Sequence, residues 1–161
     1  MKNTAINSLS YTGTVTLSQY AGTKKLVVAK IHNTGLNRLF SFLSDCLIGD
    51  FEAAKVNRPD KIMLLKKDSD GDYVKASDFI YFLSSPEKVY STSASIVKYS
   101  FIIPRDMLLK DFHGIGLYAY IDKEYTNPAA YCAIDKDKIK LSTSSVLVVD
   151  WELNIANRTI S

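Results

Sequence analysis

Residues Ser145-Val146-Leu147-Val148-Val149-Asp150-Trp151-Glu152-Leu153-Asn154-Ile155 alternate with a period of two. Leu147, Val149, Trp151, Leu153 and Ile155 fall on one side of an extended chain, and Val148, Asp150, Glu152 and Asn154 on the other. Successive side chains of a strand point to opposite faces of its sheet, so this pattern predicts a strand with one buried face. Trp151, in the middle of the apolar set, belongs near the centre of the core.

The same period recurs upstream. Over 12–19, Thr12, Thr14, Thr16 and Ser18 alternate with Gly13, Val15 and Leu17. Ala21-Gly22-Thr23 supplies a turn and β-branched residues resume over 24–31, which predicts an N-terminal hairpin. Residues 61–65 lead into Lys66-Lys67-Asp68-Ser69-Asp70-Gly71-Asp72 and then Tyr73-Val74-Lys75. Asp-Gly between two such runs signals a second hairpin, because these residues tolerate the positive φ of primed turns. Further strands are predicted at 79–83, 94–103, 114–121, 130–134 and 138–141. Within the second of these, Val97, Tyr99, Phe101 and Ile103 oppose Ile96 and Ile102.

One segment changes period. Leu36, Leu39, Phe40, Leu43, Cys46 and Leu47 recur at three and four residues, the stripe of an α-helix, with Asn33 or Thr34 as its cap and Gly49 as its stop. A second helical turn is expected over 51–56, halted because Arg58 precedes Pro59 and is biased out of the α region. Many short strands without strand-helix alternation predict a mainly β fold: an antiparallel β-sandwich, jelly-roll or immunoglobulin-like, with one inserted α-helix near residues 36–48. The expected organisation is a flexible N-terminal segment, 1–10, followed by a single β-sandwich domain, 11–161.

The chain of 161 residues is 47% hydrophobic and 23% charged, enough apolar matter for one real core and too little charge for disorder. Its net charge of +3 is dispersed, which argues against nucleic acid as a default partner. Residues 1–10 lack the apolar heart of a secretory signal, and no run approaches the roughly 18 to 20 residues of a membrane span. Neither export nor membrane insertion is therefore expected. The two cysteines, Cys46 and Cys132, sit among apolar neighbours and are expected as buried free thiols.

Catalytic chemistry finds little to work with. An EF-hand loop beginning at Asp68 would need glycine at its sixth place and glutamate at its twelfth, where Tyr73 and Phe79 stand. His32 and His113 each lack a second histidine at ligand spacing, and neither cysteine belongs to a CxxC pair. Gly114-Ile115-Gly116 lacks the third glycine and the following helix of a phosphate cradle. No catalytic, cofactor or metal residues are assigned, and no enzyme activity is expected. The informative residues are aromatic. If Ile115, Leu117, Ala119 and Ile121 face the core, Tyr118 and Tyr120 face away beside Asp122, with Tyr125 and Tyr131 close in sequence. Tyr118, Tyr120, Asp122 and Tyr125 are the candidate interface, unless this strand is covered on both faces.

The order of Gly13-Thr14-Val15-Thr16-Leu17, Lys30-Ile31-His32-Asn33-Thr34-Gly35 entering Leu39-Phe40-Ser41-Phe42-Leu43, Arg58-Pro59-Asp60-Lys61-Ile62, Gly116-Leu117-Tyr118 and Val148-Val149-Asp150-Trp151-Glu152-Leu153 resembles that of small virion structural proteins of tailed bacteriophages. The resemblance implies a non-enzymatic β-rich subunit of a capsid, collar, fibre or tail. Its partners would be other virion proteins and copies of itself, and it would be made in the bacterial host cytoplasm. A carbohydrate-binding module, with Tyr118, Tyr120 and Asp122 as a stacking platform for a host-surface glycan, is the alternative.

Overall fold

The computed structural model describes residues 6–82, 86–90, 95–119 and 128–160. Two antiparallel five-stranded sheets face each other as a β-sandwich with a small helical layer. The first sheet has the order β2 (Lys24–His32), β1 (Ile6–Ala21), β10 (Leu147–Ile160), β7 (Ser95–Ile103), β6 (Pro86–Tyr90). The second has the order β3 (Thr34–Gly35), β9 (Ala130–Ala133), β8 (Gly114–Ala119), β4 (Pro59–Lys67), β5 (Tyr73–Phe82).

The alternating run around Trp151 is the middle of β10, and Leu147, Val149, Trp151 and Leu153 are all buried on its inner face. In register, Trp151 lies between Val15 of β1 and Tyr99 of β7. Val15 and Leu17, with Tyr99, Phe101 and Ile103, complete this layer. Ile62, Leu64, Ile115, Leu117, Ala130 and Cys132 of the second sheet meet it in one continuous apolar core. On the other face of the first sheet, Asp150 accepts from the Ser100 hydroxyl at 2.8 Å and pairs with Lys25 at 3.3 Å. At the end of the inner row, the buried Gln19 side chain replaces a strand partner. Its Nε2 donates to the Ser142 carbonyl at 2.7 Å and its Oε1 accepts the Ser142 N–H at 2.9 Å, strapping the loop before β10 to β1.

Pairing of β1 with β10 begins at Ile6 opposite Ile160. Several expectations need correction. Helix α1 spans Asn37–Ile48, and its N-cap is Leu36, not Asn33 or Thr34. Thr34 and Gly35 pair with Tyr131 and Ala130 of β9, and the Leu36 N–H donates to the Ala129 carbonyl at 2.8 Å. The backbone stays in the sheet until that last bond and only then turns. Of the predicted stripe, Leu39 and Leu43 are buried, whereas Phe40 faces solvent and Phe42 packs against the core instead. The Leu47 side chain lies outside the described residues. Gly49 ends α1 at φ +81°, and α2 follows as Phe51–Val56, its first turn capped by the Asp50 carboxylate accepting from the Ala53 N–H.

The predicted strand at 138–141 is absent. Lys138 and Ile139 both donate their N–H groups to the Asp135 carbonyl, and these bonds curl the chain into a turn. The strands expected at 73–75 and 79–83 are one strand, β5. Its hairpin is closed by a five-residue loop, with Lys67 opposite Tyr73, rather than by a two-residue primed turn.

Trp151→Ala is expected to cost roughly 3 to 5 kcal/mol in urea unfolding, as a large-to-small core change. Trp151→Phe should cost clearly less, because the indole Nε1 is buried with no hydrogen-bond partner among the described residues.

Candidate functional site

Alternation along β8 does send Tyr118 away from the main core, opposite Ile115 and Leu117. The ring is not on offer to a partner, however: Tyr118 is 1% exposed. It belongs to a second, smaller apolar cluster on the other face of the second sheet, with Met63 and Leu65 of β4 and the half-buried Tyr73 and Tyr131. The strand is thus buried on both faces, and Tyr118 is not an exposed interface residue. Tyr120, Asp122 and Tyr125 lie outside the described residues.

This second cluster depends on two glycines. A Cβ on Gly116 would stand 2.8 Å from the Tyr118 ring and 3.3 Å from Leu65, so the missing side chain is the room in which the Tyr118 ring lies. A Cβ on Gly114 would meet the Cys132 carbonyl oxygen at 2.7 Å and the Tyr73 ring at 3.1 Å. Tyr73 and Tyr131 stack tilted at 39° with centroids 5.0 Å apart, and Lys67 Nζ stands 5.4 Å from the Tyr73 centroid. Aromatic rings laid across strand glycines restore packing that glycine forgoes. Gly114-Ile115-Gly116 is therefore a bed for tyrosines, a role that its spacing alone does not reveal.

At the end of the sheet beside Tyr73, a cleft of about 510 Å³ opens among Lys67, Asp111, Phe112, His113, Asp135, Lys136 and Asp137. The Lys67 N–H donates to His113 Nδ1 at 3.4 Å. Lys136 Nζ donates to the Lys110 carbonyl at 2.9 Å and sits 4.0 Å from the Phe112 centroid. Burial lowers the Lys136 pKa, and the Asp111 charge opposes that shift. Asp135 Oδ1 accepts the Asp137 N–H at 3.0 Å, so much of the polar lining is already committed to local backbone.

In the adjoining hairpin, Asp68, Asp70 and Asp72 each bring a carboxylate oxygen within 4.8 Å of the others. All three are exposed, and together they could hold a hard cation such as Ca²⁺. Asp68 Oδ1 also accepts the N–H groups of Asp70 and Asp72, both at 2.9 Å, and Gly71 takes φ +82°. These bonds account for the shape of the loop without an ion.

The thiols are not activated. Burial pushes Cys132 up to about 12, against a smaller lowering by its backbone hydrogen bond to Ile115. Cys46 is raised by burial and then by the Asp45 charge.

Two surfaces stand out by what they expose. On α1, Phe40, Ser44 and Ile48 are spaced four apart on the outer side, and Phe51 follows at the start of α2. Ile48 is 74% and Phe51 71% exposed, large apolar side chains set in water on either side of one turn. At the edge of the first sheet, Leu26, Val27 and Val28 of β2 are exposed in succession. Spacing of three and four places Phe40 in the apolar stripe of α1, and only the orientation of the helix decides that it remains outside.

Gly114→Ala should destabilise by roughly 1 to 3 kcal/mol, as an overpacking change. Gly116→Ala should cost less, because its obstacle is a side chain able to shift, whereas Gly114 faces a backbone carbonyl. Urea midpoints of the two variants test the order. For Cys132, the unfolded thiol ionises from about pH 9 while the folded one does not until about 12. The unfolded state then binds fewer protons, so stability present below pH 9 is lost as the pH rises towards 12. Cys132→Ala should flatten that part of the stability profile relative to the parent protein.

Comparison with protein-family models, with curated proteins and with solved structures finds no match to this chain.

Proposed function

We propose that the protein is a non-enzymatic structural subunit of a bacteriophage virion, acting by docking and self-association within the assembled particle. The observation that carries the reading is the number of large apolar side chains left exposed on α1 and α2: Phe40 and Ile48 on α1, Phe51 and Val56 on α2. Where exposed apolar side chains join into a contiguous patch of several hundred Å², the patch marks a contact surface. Rings and branched chains held on a helix also lose little further freedom when they dock.

The order of sequence features supports the virion as the setting, and a sandwich with its charges dispersed suits a particle component that contacts protein. No helix among the described residues is long and apolar enough to cross a membrane. The glycan alternative loses its first ring, since Tyr118 is not exposed for stacking.

The native mass in solution, together with recovery from purified particles, tests the proposal. A closed oligomer or a stoichiometric virion component is the expected result, with an interface of roughly 1,200 to 2,000 Å². An 18.0 kDa monomer absent from particles would overturn it. Ile48→Glu and Phe51→Glu, both at exposed positions, should leave the fold intact while weakening association.

A further inference from the structure

Among the described residues β2 is the edge of the first sheet, paired with β1 on one side and with no strand on the other. The Asn33 N–H donates to the Gly13 carbonyl at 3.0 Å. Inward and outward N–H groups alternate along an antiparallel strand, so Ile31 and Ala29 also donate towards β1 and the N–H groups of Lys30 and His32 point out of the sheet. An unpaired ladder of this kind is completed by one more strand. The side chains along it are of two kinds. Leu26, Val27 and Val28 are apolar and exposed, Val27 to 59%. Lys24, Lys25 and Lys30 are cationic, and residues 24–32 contain no carboxylate.

That charge decides the occupant. Lys25 is already paired with Asp150 of β10, but two copies of β2 laid antiparallel would still bring Lys24 and Lys30 of both into one ladder with no carboxylate on either β2 strand, the arrangement by which natural edges resist their own kind. A strand that alternates carboxylates with apolar side chains would instead meet a cation at each end of β2 and Leu26 to Val28 between them.

We propose that the β2 edge is a docking site for an extended acidic strand of a different protein, added to the first sheet by main-chain pairing. The proposal rests on the assembly reading and names the chemistry of one partner: the exposed apolar side chains of α1 and α2 serve contacts between copies, whereas β2 selects against copies and for an acidic neighbour.

The test uses the full chain, labelled with nitrogen-15, and two capped peptides as long as β2. One alternates valine with glutamate and the other valine with lysine. At millimolar concentration the glutamate peptide should shift the amide resonances of β2, slow the exchange of the Lys30 and His32 amides, and leave those of β6 unmoved. Lys30→Glu should weaken this binding about five- to tenfold, as a cross-strand attraction becomes a repulsion. Lys30→Pro should abolish it without loss of the fold, because the N–H removed points away from β1.

No response of β2 to the glutamate peptide would overturn the proposal. So would an equal response to both peptides, or protection of the β2 amides in a concentration-dependent dimer of the chain alone, which would make a second copy the occupant. No virion is needed for these measurements, so failure here with the protein present in particles removes the edge proposal and leaves the virion reading standing. Absence from particles with intact peptide binding does the reverse.

Discussion

The pairing of β1 with β10 is the constraint on which the remaining structure depends. The two strands run antiparallel from Ile6 opposite Ile160 to Gln19 opposite Leu147, joining residues far apart in the chain. A shift of one residue in this register would turn Trp151, Val149 and Leu153 to the other face and Asp150 into the core. The register is thus held by burial on one side and by the Asp150 contacts with Ser100 and Lys25 on the other. Because the pairing is so remote in sequence, loop-closure entropy is spent before any of this burial is returned, which favours slow folding.

Legibility in the sequence followed how local the deciding interaction was. The period of β10, the Gly22 turn of the first hairpin and the stop at Gly49 were all readable, because each rests on side-chain alternation or on a φ that glycine adopts freely. The start of α1 was not readable. Asn33 and Thr34 are good caps by chemistry, but β9, about a hundred residues later in the chain, holds that backbone in a sheet. Lys138-Ile139-Lys140-Leu141 has the alternation of a strand, yet two N–H groups converging on the Asp135 carbonyl decide otherwise. Phe40 and Phe42 exchange places because the helix stripe is wide and only packing selects its centre.

The candidate contact residues show the same limit. Period two correctly separated Tyr118 from Ile115 and Leu117, but period says which face a residue takes and nothing of whether that face is wet. The decisive fact, that Gly114 and Gly116 leave a shallow bed in which tyrosines lie flat, needs the cross-strand neighbours Leu65, Tyr73 and Cys132 to be placed first. Conversely, exposure of Ile48 and Phe51 beside a cap and a turn could not be told from ordinary helix burial until the core had been filled by Leu39 and Leu43.

The ladder between β1 and β10, inside the first sheet, has a mechanical consequence. Ile6 and Ile160 lie side by side at the same end of neighbouring antiparallel strands. Hydrogen bonds in such a pair run perpendicular to the strands, so a tension drawing those two points apart loads the pairs one after another instead of sharing the load among them. The sandwich would peel open from that corner at low force, whereas tension applied along the length of β1 and β10 in opposite directions would meet the whole ladder at once.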